Sequence, residues 1–268
     1  YGETTAPGHQ LANADLGLQL SDGTKLALRA GYETSRGEHT LAERSAVGAH
    51  IEQRVWNQAF ATVGIDARHT TDPARGIDVS SDLATAGFRW TPLPRFSQRV
   101  QYERNLRGAD PTYPNQTTIG AQYDVAPGAR LFVSHRWSDA PIVPLGGAQV
   151  AGLITPTSTR ETAIGATSNL GPYTGITSRY LLGSTINGTD AFAALGVVTR
   201  IPLSHGLSAD LGIDAGKPVA GQRQAYVGAG AGGIYQRAER LQVSFQYQGR
   251  WGDAEQRTVA LSGVARVT

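Results

Sequence analysis

Seven basic residues of the first half share one side of the chain's two-residue alternation: Lys25, Arg29, Arg68, Arg89, Arg99, Arg130 and Arg136. Arg29 stands between Leu28 and Ala30, and Arg89 between Phe88 and Trp90, so these cations point away from the apolar face. Asp210 and Asp214 hold the same kind of position in the second half, followed by Gln242, Gln246 and Gln248. Cations on one arc of a closed wall and carboxylates on the other would set a transverse field. Such a field orients dipolar solutes and sets ion preference. On this reading the lining residues are Arg29, Arg68, Arg89, Arg99, Arg130, Arg136, Asp210 and Asp214. A second reading has Glu33, Glu52, Asp66, Glu103 and Asp124 pairing with neighbouring arginines across strands, bracing the interior.

Other chemistry is thinly represented. The histidines (His9, His39, His50, His69, His135 and His205) lack metal-ligand spacing. Ser134 and His135 are adjacent, so on a strand they face opposite sides and cannot act as nucleophile and base. His50 and Asp66 could meet on the polar face, but no nucleophile accompanies them. The glycine-rich stretch around Gly228, Gly230 and Gly233 precedes no helix, which excludes a phosphate cradle. No enzyme activity, cofactor or metal is expected.

The elements that hold these side chains are strands. Ala12, Ala14, Leu16, Leu18 and Leu20 alternate with Asn13, Asp15, Gly17 and Gln19, and the beat resumes after a Ser21–Thr24 turn. It continues through Ala59, Ala61, Val63, Ile65 and Ala67 against Phe60, Thr62, Gly64, Asp66 and Arg68, and onward to Val267. A strand sends successive side chains to opposite faces, so the wall has one apolar and one polar side. About fifteen such segments fit a membrane barrel's range of strand numbers. Glycine recurs on the polar face, as at Gly48, Gly64, Gly120, Gly165 and Gly212. It serves either the curvature of a closing sheet or a lumen kept clear.

Short turns alternate with longer polar links. The latter include Ser35 to Arg44, Thr70 to Ser80, Arg107 to Asn115, Ser138 to Ser158 and Gly183 to Asp190. Long loops confined to one end suit a membrane barrel and disfavour a soluble sandwich. The mildly apolar Ser138 to Ser158 link could fold into the mouth and narrow it, or bind a partner. Tyr32, Trp90, Tyr102, Tyr123, Trp137, Tyr180 and Tyr247 lie near strand ends as membrane-interface girdles.

Composition narrows the classes further. Only 17% of the 268 residues are charged, and 24 basic against 22 acidic residues leave a net charge of +2. That balance, without any basic run, excludes nucleic acid as a partner. No apolar run approaches the length of a membrane helix. The chain has no cysteine, which removes disulfides and thiolate sites.

Carried by segments such as Leu11 to Leu20, Gln58 to Arg68 and Arg240 to Gln248, the chain resembles Gram-negative outer-membrane β-barrels of the porin-like kind. It is also similar to the carboxy-terminal barrels of larger surface proteins. The resemblance implies an all-β, transmembrane antiparallel β-barrel of about 14–16 strands, with short periplasmic turns and longer extracellular loops. Residues 1-268 would form this single domain, and the odd strand count suggests an absent N-terminal strand or segment. The implied location is the cell outer membrane. The implied function is a passive pore for small polar or charged solutes; the alternative is an anchor or assembly barrel of a larger surface protein or complex. Expected partners are the lipid bilayer, lipopolysaccharide and small solutes, and on the alternative other protein chains.

Overall fold

The computed structural model describes residues 8–36, 41–107, 110–140, 159–185, 188–204, 206–221, 225–237, 241–252 and 256–265. Fifteen strands run in chain order. They begin with β1 (Gly8–Ser21), β2 (Thr24–Arg36), β3 (Leu41–Trp56), β4 (Ala59–Asp72) and β5 (Ile77–Leu93). Next come β6 (Phe96–Arg107), β7 (Gln116–Ala126), β8 (Ala129–Ser138), β9 (Arg160–Asn169) and β10 (Thr174–Thr185). The last are β11 (Gly188–Ser204), β12 (Leu207–Ala220), β13 (Tyr226–Arg237), β14 (Leu241–Gly252) and β15 (Gln256–Ala265). Each hydrogen-bonds antiparallel to the next in one sheet ordered β1 to β15. The sheet curls until β1 and β15 stand side by side. No ladder joins these edges in the described sheet, and an odd number of alternating strands leaves them running in the same direction.

Side chains are distributed inside out. On β4, Val63 and Ile65 are 66% and 51% exposed, whereas Asp66 and Thr70 are buried. The same phase holds at Leu131 and Val133 on β8 and at Leu211 and Ile213 on β12, all exposed apolar residues. A soluble sandwich buries its apolar alternation; a barrel standing in lipid displays it. Trp56 and Phe88 pack on the outer face with ring centroids 5.5 Å apart and planes tilted by 50°. No helix in the described chain is long and apolar enough to cross a membrane.

The links are shorter than the sequence suggests. Thr70, Thr71 and Asp72 pair with Val79, Asp78 and Ile77, so the expected Thr70 to Ser80 link is mostly sheet. The expected Ser35 to Arg44 and Gly183 to Asp190 links are also largely strand. The cause is that backbone pairing proceeds wherever two chains stay in register, whatever the side-chain polarity. β5 and β11 each reach 17 residues. At about 3.3 Å per residue such a strand outreaches an apolar band roughly 25 Å tall, even when tilted. The longest connections join β6 to β7 and β8 to β9, whose joined strand ends are at the same end of the wall.

Candidate functional site: the barrel lumen

Register decides how the inward face is filled. Gly48 lies opposite Asp66 and Gly64 opposite His50 across β3 and β4. Gly120 lies opposite Arg99, and Gly165 opposite Phe132. In each pair the larger side chain lies across the glycine, where an added Cβ would crowd it. Gly216 is similarly covered by the rings of Phe192 and Tyr226, stacked at 6.0 Å. The repeated glycines therefore seat neighbouring side chains against the wall, in line with their mechanical reading.

At the end with long connections, residues 110–115 fold inward. Asp110 accepts hydrogen bonds from the Thr70 hydroxyl at 2.7 Å and from the Thr112 backbone N–H at 2.8 Å. Arg44 donates to Thr112 and is paired with Glu33 at 2.9 Å. The Arg68 guanidinium stacks on the Tyr113 ring, 3.8 Å from its centroid. Tyr113 donates to Glu103 Oε2 at 3.0 Å, and Gln101 donates to Glu103 Oε1 at 2.6 Å. Burial pushes the Tyr113 phenol above its ordinary pKa and the Glu103 charge adds to this, while Arg68 pulls the other way. The phenol thus keeps its proton and remains a donor. Asp110, Thr112, Thr70, Ser81 and Leu83 are all buried.

The sequence offered Ser138 to Ser158 as a narrowing loop, a partner-binding surface or a disordered flap. Residues 141–158 of that link lie outside the described residues. Inward folding is seen instead in the Arg107 to Asn115 link. Its signal was the dense polar set Asp110, Thr112, Tyr113 and Asn115, whose partners sit on strands distant in sequence.

Every described arginine in the expected lining set faces inward, but most are braced. Arg68 lies 3.8 Å from Asp66, which also holds His50 Nε2 at 2.9 Å. The expected meeting of His50 and Asp66 therefore occurs. Arg89 pairs with Glu52 at 3.1 Å, Arg130 with Asp124 at 2.6 Å and Arg136 with Glu161 at 3.9 Å. Asp210 holds Arg200 at 2.8 Å on its own side of the wall. Arg29 and Asp214 border lumen cavities. Glu103 serves Tyr113, Gln101 and Gln116 rather than an arginine. In the second half, Arg179, which the alternation also puts on the polar face, and Arg200 stand with Asp210 and Asp214. His135 turns outward to Thr162 and Trp137, away from the face expected of Ser134.

Two cavities lie on the lumen face of the described residues. One of about 720 Å³ is bordered by Arg99, Phe132, Arg179, Asp214 and Tyr226. The other, of about 650 Å³, is bordered by Arg29, His50, Glu103 and Tyr113. Arg89 and Arg99 border both and so stand at their junction. Among the described residues no group of three His, Asp or Glu side chains could hold a metal ion.

No protein-family model and no curated protein sequence matches the chain. Among solved structures, a bacterial polysaccharide outer membrane secretin superposes with a TM-score of 0.55 at 11% identity, over 89% of this chain and 82% of that one. Pseudomonas aeruginosa OccK11 (OpdR) gives 0.47 at 12% identity, over 87% and 80%. An anion-selective porin from Comamonas acidovorans gives 0.44 at 9% identity, over 97% and 95%. At these identities the first likeness speaks for the fold alone, and that fold is the antiparallel β-barrel expected from the sequence.

Proposed function

We propose that this porin-like barrel is an outer-membrane pore of Gram-negative cells, passing small polar or charged solutes without chemical change. The observation that carries this reading is the pair of adjoining polar cavities inside a wall whose outer face is exposed and apolar. Water and solute have a charged, hydroxyl-rich path within, and lipid has the Leu, Val and Ile stripes without. Lipopolysaccharide would meet the strand extensions at the long-loop end.

The test is reconstitution. Purified protein in planar bilayers is expected to give discrete steps of current, with added solutes blocking them in proportion to size. A preparation that inserts as folded barrel and stays electrically silent would contradict the pore. That result would favour the anchor or assembly alternative, which draws support from the inward-folded 110–115 segment.

A further inference from the structure

We infer that the larger lumen cavity is an oxyanion-binding site, built around Arg99 and Arg179 and taking solutes that bear carboxylate or phosphate groups. The inference deepens the pore reading and rests on it for the route by which solute arrives.

Arg44, Arg68, Arg89, Arg130, Arg136 and Arg200 each have a carboxylate oxygen within 4.0 Å. Arg99 and Arg179 have no such ion pair among the described residues, yet both border the same cavity of about 720 Å³. Four arginines stand against one carboxylate, Asp214, around that cavity. Two of the four, Arg89 and Arg130, spend their charge on Glu52 and Asp124. Around that cavity, among the described residues, the arginines without a carboxylate within 4.0 Å are therefore Arg99 and Arg179.

Arg99 is also held in place. Its side chain lies across Gly120, where an added Cβ would come within 3.2 Å of Nε and 3.4 Å of Cγ. That seat aims the guanidinium along the wall at the junction of the two cavities. A guanidinium offers a planar fork of donors that matches a carboxylate or phosphate in two parallel hydrogen bonds. Thr167 and Thr177 border the cavity with further hydroxyl donors. Protein walls of low dielectric strengthen the attraction relative to open water. A cation gains little here, because one carboxylate cannot offset the surrounding arginines.

Calorimetric titration of detergent-solubilised protein with citrate, and separately with inorganic phosphate, reads the site without requiring conduction. Citrate is expected to bind, and Arg99→Gln with Arg179→Gln to weaken it by at least about tenfold. Arg99→Lys with Arg179→Lys keeps the charge but loses the fork, so it should bind citrate with a strength between wild type and the double Gln variant. Phosphate binding without citrate binding would assign the site to phosphate-bearing solutes alone. Wild-type affinity for citrate in the double Gln variant overturns the inference, as does absence of both heats in a protein that conducts. Citrate binding in a protein that never conducts sinks the pore reading and leaves the site standing.

Discussion

Replacing Asp110 and Tyr113 together with alanine is expected to raise single-channel conductance about twofold or more, because current scales with the open cross-section of the narrowest zone. The 110–115 segment reaches into the lumen on few ties. The Arg68 guanidinium stacks on Tyr113 and the Tyr113 phenol donates to Glu103 at 3.0 Å. Asp110 takes the Thr70 hydroxyl at 2.7 Å and the Thr112 N–H. Without both residues the segment loses these ties and the Tyr113 ring that fills the lumen, and keeps Arg44 on Thr112 and the Asn105 bonds to Tyr113 O and Asn115. Tyr113→Phe keeps the ring under Arg68 and loses only the bond to Glu103, so its conductance should rise less. Equal conductance in wild type and the double alanine variant would show that this segment does not set the narrowest zone. The measurement is single-channel recording in matched salt.

Gly165→Ala is expected to destabilise the barrel by about 3 kcal/mol, the upper part of the usual range for overpacking. A methyl group there meets both the Phe132 ring and the Ser178 carbonyl oxygen. The ring could swing away, but the carbonyl belongs to the β9–β10 ladder and cannot. Gly175 is a close control: it lies on the same polar face, and the nearest atom to an added Cβ is Asn169 Oδ1 at 3.8 Å. Gly175→Ala should therefore fold as wild type does. Urea unfolding in lipid vesicles separates the two, and equal midpoints would show that the inward glycines do not act as seats.

The strand phase was legible in the sequence almost residue by residue. Lipid demands an apolar outer face along every crossing segment, and no tertiary context overrides that demand. Val63, Ile65, Leu131 and Ile213 point outward as the alternation implies. Strand ends were not legible, since Thr70 to Asp72 continue the ladder with polar residues that read as a loop. Ion-pair choice was partly legible. Asp124 and Arg130 flank one tight turn and sit opposite each other, as a short hairpin requires. Arg89 instead reaches past β4 to Glu52 on β3, a contact that depends on the curvature of the whole wall. The alternation puts Arg179 on the polar face, but its sharing a cavity with Arg99 could not be read from spacing, because three strands, β7 to β9, intervene between them. The inward 110–115 segment was hidden for the same reason: Arg44, Thr70 and Glu103 come to it from three different strands.

The central claim is the inverted wall, apolar outside and wet inside, and β12 offers a clean place to measure it. The native sequence has no cysteine, so single cysteines from Ser208 to Ala215 can each carry one spin label. In lipid vesicles, collision with oxygen reports lipid exposure and collision with a water-soluble nickel chelate reports water. The account predicts oxygen maxima at positions 209, 211, 213 and 215, and nickel maxima at 208, 210, 212 and 214, the two series out of phase with a period of two. Nickel maxima at the Leu211 and Ile213 positions, or two series rising and falling together, would contradict it.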